Sequence, residues 1–536
     1  MRVEKFSISK KLQSGYFLFT SCIILLMLNF YKYRSNAQLN TTHDDFAVDM
    51  LRSRYEMING LEFGGHYSRT LGGTHPGPIY DWLLVLSNYI AKTFELQALE
   101  VSFYILTTFN IIIISLIIKV IWSYFSPARA KLFLLIFLLW QSVNYNGDTN
   151  FGQSGELNFL NGGKLGSPLW PPYLSPYLFL FFLVSLHAYL KVGKKALNYL
   201  LPSLVLAAQM YLPYLYITIP VYLFLVIFLL FKKEINYRDF GLLLSIFLAS
   251  PLLYRLISEG VSFLKPNQLT MNQMERYFGS NSGWQPSKGS FVFEKLYGLP
   301  IIAILILYLA IVVTIKLKSN EKGLIFAKKS FNESYLVMLV IILGLLQIYL
   351  IYPSQIGIYQ FNWVVFYTIF ALSISLSSLF KKTEFKKIEL ISQGWIVLIL
   401  IASILSTNLL KLDSARSVMS NEESQVAVAN FANGLKNEGI INISITVNSE
   451  ENYGLSSSLY WEVAPIIWTL EVNGIEACLT QPRDDLSMYV CRDQNEDSYI
   501  VERVEIENLQ AENSYISLLD SAFYPNTKIN IKKLQG

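Results

Sequence analysis

The sequence predicts a polytopic α-helical membrane protein that carries a C-terminal α/β domain, and three observations predict it. Of its 536 residues, 53% are hydrophobic, 15% aromatic and only 15% charged, a balance outside the soluble globular range. Apolar runs long enough to cross a bilayer recur down to about residue 410, with Lys- and Arg-rich segments between them. Beyond that point the composition changes. From Lys411 to the end, nine Lys and Arg stand against nineteen Asp and Glu, and the apolar runs give way to helix and strand patterns. The net charge of +4 thus conceals a basic membrane part and an acidic tail. The basic residues sit in short turns, where they set orientation. No basic stretch is interleaved with aromatics as a nucleic-acid surface requires, so no nucleic-acid partner is expected.

The first element, "YFLFTSCIILLMLNFY", follows Lys10 and Lys11 and reads as a span whose N-terminus is cytoplasmic. "SNAQ" beyond it resembles a signal-peptide cleavage site, but Lys32 and Arg34 intervene and the apolar run is long, which favours a retained anchor. The segments "KVIWSYFSPARAK", "KVGKK", "FKKEINYRD", "KLKSNEKGLIFAKK" and "FKKTEFKK" each separate two apolar runs, and all five belong in the cytoplasm. They fall there only if residues 78–93 do not cross the bilayer. That segment is short, begins among prolines and carries Asp81, which suits a helix lying in the headgroup region. Eleven spans follow, near 16–31, 100–119, 131–143, 173–190, 196–209, 213–231, 239–257, 299–316, 334–352, 362–380 and 391–410. The membrane module is then 1–410, in an inner membrane, with outer loops 32–99, 144–172 and 258–298. The odd number of spans puts the domain 411–536 outside as well.

In that tail, "EESQVAVANFANGLKN" has helical spacing, "INISITVN" alternates as a strand does, and "SSLYWEVAPIIWTLEVNG" is an apolar helix closed by a Gly cap. "EACLT", "SMYVC" and "SYIVERVEI" read as strands. No Gly-rich phosphate loop follows a strand, so no nucleotide is expected there. Cys478 and Cys491 close a short loop in an oxidising compartment and stay reduced in the cytosol, and their spacing alone does not decide between the two.

The first outer loop concentrates unusual chemistry. Thr41, Thr42 or Asp44 can cap a helix over "DFAVDMLRSRYEMI", which puts the pair Asp44 and Asp45 at its N-terminus. Two carboxylates there stabilise the helix dipole in any case. Helical spacing places Asp45 and Asp49 on one face, with Arg52 and Glu56 along a neighbouring stripe. His43, His66 and His75 crowd the same surface, at spacings that match no zinc motif. "THPGPIYDWLLVLSNYIAK" then leads into the amphipathic segment.

This order resembles the GT-C superfamily: a short first span, an acidic pair opening a helix, a turn-rich segment, then a Pro motif before an amphipathic aromatic helix. These are membrane glycosyltransferases that use polyprenyl-phosphate-linked sugars, among them the lipid A aminoarabinose transferases and the protein O-mannosyltransferases. The resemblance is carried by residues 41–125. The second acid is Asp where the aminoarabinose enzymes have Glu, and "THPGP" stands where they have Glu-Lys-Pro-Pro. That departure points to another arm of the superfamily, such as one handling arabinofuranose or O-antigen-type sugars.

The resemblance implies a sugar transfer from a polyprenyl-phosphate donor to an extracytoplasmic glycan, lipid or protein, with Asp44 or Asp45 as general base. The departing phosphate needs fixed cations, and Arg52, Arg54, Arg69, Lys164, Arg255 and Arg276 are the candidates. Arg255 is the most pointed, near the outer end of an apolar span, although a basic residue there also snorkels to headgroups. His66 and His75 join the substrate-binding candidates. Asp148 and Glu156, in a second outer loop rich in Asn, Gly and aromatics, serve as further carboxylates, as ligands for a divalent metal, or as solvated loop residues. Two rival readings are a transporter or flippase of lipid-linked sugars and an O-antigen-type ligase or polymerase. Transporters place ionisable groups at mid-bilayer and repeat their halves, and neither pattern is evident here.

Overall fold

The computed structural model describes residues 16–27, 44–62, 64–65, 67–68, 73–74, 77–142, 171–210, 422–447, 456–481, 484–491, 497–505, 516–519 and 527–534, with single positions at 218, 257, 367, 369, 370 and 373. Helices dominate the first half. These are α1 (Tyr16–Met27), α2 (Asp44–Asn59), α3 (Ile79–Phe94), α4 (Ala98–Val120), α5 (Pro127–Ser142), α6 (Pro171–Val192) and α7 (Leu197–Met210). A two-residue pairing, β1 (Tyr67–Ser68) with β2 (Gly73–Thr74), sits between α2 and α3.

α4 continues through a π turn, Ile121–Phe125, so the helix runs unbroken for 28 residues. Among the described residues it alone is long and apolar enough to cross a bilayer. At about 1.5 Å per residue it reaches roughly 42 Å. Ser126 then turns the chain out in an extended conformation, and its hydroxyl accepts a hydrogen bond from the Arg129 amide at 3.2 Å. With Pro127 in the first helical position, this is the cap that starts α5. α6 packs against both α4 and α7 and buries Tyr177, Phe179, Phe181 and Phe182 almost completely.

The two ends of this bundle differ. At one end the Tyr124 hydroxyl donates to the Lys195 carbonyl at 2.6 Å, Lys191 lies 4.6 Å from the centre of the Phe125 ring, and Phe17 lies 4.9 Å from Trp122. The start of α1, the end of α4 and the 3-10 turn Gly193–Ala196 before α7 therefore meet among lysines. The far end of α7 meets Gly77, just before α3. Phe94 closes α3 shortly before Ala98 opens α4, so both ends of α3 lie away from the basic turns. α4 and α6 cover the predicted stretches 100–119 and 173–190, α5 and α7 coincide with 131–143 and 196–209 to within a residue at one end, and α1 lies within 16–31. The other six predicted spans fall outside the described residues, single positions apart.

The C-terminal part comprises α8 (Glu422–Asn437), β3 (Asn442–Val447), α9 (Ser456–Val472), β4 (Glu476–Leu479), a 3-10 turn (Asp484–Tyr489), β5 (Asp497–Glu505), β6 (Ile516–Leu519) and β7 (Thr527–Lys533). The strands form one sheet in the order β4-β3-β5-β7-β6. β4, β3 and β5 run parallel, with Ile443 opposite both Ala477 and Asp497, while β7 pairs antiparallel with β5 and β6. Val463, Ile466, Ile467 and Leu470 of α9 are buried, as are Ile443, Ile445, Tyr499, Val501, Ile529 and Ile531 of the sheet. Gly474, at φ +78°, ends α9: the Ile475 amide returns to the Leu470 carbonyl at 3.0 Å in a left-handed cap that favours glycine. "SMYVC" is not a strand. Its residues belong mainly to the 3-10 turn, and Val490 alone bridges Leu479, because the Cys491 amide anchors the segment to the Leu479 carbonyl at a single point. β6 and β7 are additions to the expected set.

Candidate functional site

α2 lies between two supports. Phe46, Ala47, Val48, Met50 and Leu51 are all buried, and the helix packs against α3 on one side and against α9 and the 3-10 turn of the tail on the other. Asp44 and Asp45 are its first two residues. In helical register, position 44 shares a stripe with 47, 51 and 54, whereas position 45 shares one with 49, 52 and 56. The pair that is adjacent in sequence thus heads two different faces.

The face that continues to Arg52 and Glu56 is a buried charge cluster. The Arg52 guanidinium binds Glu56 through Nε at 3.0 Å and Glu62 through Nη2 at 2.7 Å, and its Nη1 donates to the Gly65 carbonyl at 2.9 Å. It therefore ties α2 to the turn that follows it. Burial alone would lower the Arg52 pKa, but the charges of Asp81, Glu56 and Glu62 outweigh that, and the net shift is upward. Burial pushes Glu56 up, with Arg52 opposing.

Asp81, in the first turn of α3, has no exposed surface, and neither carboxyl oxygen has a hydrogen-bond partner among the described residues. Burial pushes its pKa up to about 8, Arg52 pulls it down, and Glu56 and Glu62 add to the rise. At neutral pH this side chain is mostly the neutral acid. Two further bonds hold α3 in place: the Asn88 amide donates to the Ser53 hydroxyl at 2.7 Å, and the Trp82 indole donates to the Glu62 carbonyl at 3.0 Å.

The Pro-Gly-Pro turn before α3 has its own steric reason. A Cβ on Gly77 would stand 2.6 Å from Gln209 Cβ, 2.7 Å from its Cγ and 2.9 Å from its Cα, so only glycine lets the turn reach the end of α7.

On the tail side, Arg54 Nε lies 3.4 Å from a Glu471 carboxylate oxygen, and the Tyr489 hydroxyl lies 3.3 Å from the Leu51 carbonyl, within reach of Glu471 as well. Burial raises Glu471 to about 7, with Arg54 and Tyr489 opposing, and burial together with Glu471 raises the Tyr489 phenol. Cys478 and Cys491 are joined by a disulfide that links β4 to the end of the Tyr489 turn.

Of the substrate-binding candidates, Arg52 and Arg54 are the two on described elements, and both are engaged in the ion pairs above. His66, Arg69, His75, Asp148, Glu156, Lys164, Arg255 and Arg276 lie outside the described residues. Among the described residues no three His, Cys, Asp or Glu side chains gather as metal ligands. Sequence reasoning used Asp81 only to keep its helix out of the bilayer and did not single out Glu62, Glu471 or Tyr489. A lone acid in an otherwise apolar helix was the available signal for Asp81.

No family model matches this chain, and no curated protein does. Among solved structures the chain is similar to ArnT from Cupriavidus metallidurans bound to undecaprenyl phosphate. The alignment covers 97% of this chain and 98% of that one, at 10% identity and a TM-score of 0.43. The lipid belongs to that protein. The resemblance to the GT-C superfamily rests on residues 41–125 of the sequence.

Proposed function

We propose that the chain is a polytopic inner-membrane glycosyltransferase of GT-C type, which moves a sugar from a polyprenyl-phosphate donor to an extracytoplasmic acceptor. One observation carries the reading: the helix that opens with Asp44 and Asp45 is held on both flanks, at the end of the bundle away from the basic turns. A base on a clamped helix suits this chemistry, because transfer demands that a proton acceptor and a reacting carbon be held to a fraction of an ångström. The position of α3, with both ends away from the basic turns at the other end of the bundle, supports an interfacial helix and an outward-facing first loop.

In the proposed reaction an acceptor hydroxyl attacks the anomeric carbon while one Asp takes its proton. The bond from that carbon to the phosphate oxygen breaks, and the polyprenyl phosphate leaves with the electron pair. Fixed cations stabilise the departing charge. Arg69, Lys164, Arg255 and Arg276 are the candidates for this, since Arg52 and Arg54 already hold carboxylates in this structure.

The test is Asp44→Asn and Asp45→Asn in purified protein supplied with a panel of polyprenyl-phosphate sugars. Asn has nearly the same shape but takes no proton at neutral pH. Asp44→Asn should lower turnover by about 10²–10⁴-fold with donor binding retained, and Asp45→Asn should cost less. Unchanged transfer in both variants would reduce the pair to a helix cap and remove the proposal's support.

A further inference from the structure

We infer that the C-terminal domain is a brace for α2, in which Glu471 and Tyr489 are positioning residues that set the orientation of the helix bearing the Asp pair. The inference rests on the glycosyltransferase reading for its consequence in catalysis, but its mechanical part stands on contacts alone.

Those contacts are specific. α9 and the 3-10 turn both pack on α2, whose Ala47 and Leu51 are fully buried. Arg54 shares their stripe, and Glu471, at the end of α9, holds its guanidinium at 3.4 Å. Tyr489, the last residue of the 3-10 turn, reaches the carbonyl of Leu51, one turn before Arg54. Position 44 heads the same stripe, two turns further toward the N-terminus. A helix gripped on one side only can roll about its axis. Here the opposite side is fixed by Ser53 with Asn88 and by Arg52 with Glu62, so the tail contacts remove the remaining freedom. The tail segment is itself anchored: the disulfide and the bond from the Cys491 amide to the Leu479 carbonyl fasten it to β4, next to β3 in the sheet.

The balance of chemistry on this surface also speaks for positioning over ligand binding. Among the described residues its charges pair with one another, Arg54 with Glu471, and the Tyr489 hydroxyl meets a backbone carbonyl. A hydroxyl on a backbone carbonyl contributes direction and no charge.

The experiment uses full-length protein in detergent or nanodiscs, with two readouts. Tyr489→Phe deletes only the hydroxyl, and Glu471→Gln keeps the shape while removing the charge. Each should lower kcat by about tenfold, the scale expected when a reacting group is displaced by a fraction of an ångström, with donor KM within about twofold of wild type. Hydrogen exchange of the α2 amides should quicken in both variants while the strands of the tail stay protected. Arg54→Glu should lose activity, and the exchange Arg54→Glu with Glu471→Arg should recover most of it, a rescue that a merely structural contact elsewhere would not give. Unchanged α2 exchange and unchanged kcat in both single variants would overturn the brace, even where Asp44→Asn abolishes transfer. Quickened α2 exchange in the two variants, beside a wild-type protein that transfers no sugar from any donor, would uphold the brace and overturn the glycosyltransferase reading instead.

Discussion

Asp81 shows how far a single side chain can depart from its ordinary chemistry. Its folded-state pKa of about 8 stands against 3.8 in the open chain. Below pH 4 both states are protonated and the group has no effect on stability. Between about 4 and 8 the unfolded chain has released the proton and the folded protein still holds it, so unfolding becomes easier as pH rises, and the loss levels off above 8. Asp81→Asn cannot ionise. The variant should match wild type at about pH 4 and below and exceed it increasingly toward pH 8, as read by thermal unfolding in detergent across that range. A constant difference at every pH would mean that the carboxyl is ionised in the folded protein. The i,i+4 spacing of Arg52 and Glu56 was legible from the sequence, because a helix repeats locally. Glu62 and Asp81 were not, because their approach to Arg52 depends on a turn and on a second helix that periodicity does not describe.

Among the elements, the turn into α3 makes the sharpest demand. Gly77→Ala places a methyl against the Cα and Cβ of Gln209, atoms that no rotamer change can move aside. It should cost about 1–3 kcal/mol, as overpacking of a tight interior does, and appear as a lower unfolding midpoint. Gln209→Ala should fail to rescue it, since the Cβ at 2.6 Å remains. The sequence marked this stretch as a turn but carried no sign of the helix pressed against it. In the tail, the helices α8 and α9 and strands β3, β4 and β5 were legible from spacing and caps. The stretch before Cys491 was misread, since "SMYV" has strand-like residues but is tied to the sheet only at Leu479 and otherwise forms a 3-10 turn. β7 carried a readable alternation, with Ile529 and Ile531 buried, in a stretch whose lysines disguised it.

At the scale of the molecule, the meeting of α1, α4, α6 and α7 at one lysine-rich end gives the charge pattern a geometric counterpart. Reporter fusions after Lys131, Lys195 and Lys387 should read cytoplasmic, and one at residue 536 should read external. An external reading at Lys131 would mean that α3 crosses the bilayer and would overturn the orientation. The count of spans was drawn from apolar runs together with the placing of basic segments between them, which is where sequence is most informative about membranes. The contact of the tail with the first loop was invisible, because nothing local links residues so distant along the chain.

That contact also orders events in time. Leu51 and Tyr489 stand 438 residues apart. A ribosome working at roughly 5–20 residues per second needs about 20–90 s between them. Through that interval α2 waits for α9 and the 3-10 turn that pack against it to emerge. The head of the chain is therefore finished by its tail, and a transcript cut short before codon 489 yields a chain whose α2 never gains the Tyr489 contact.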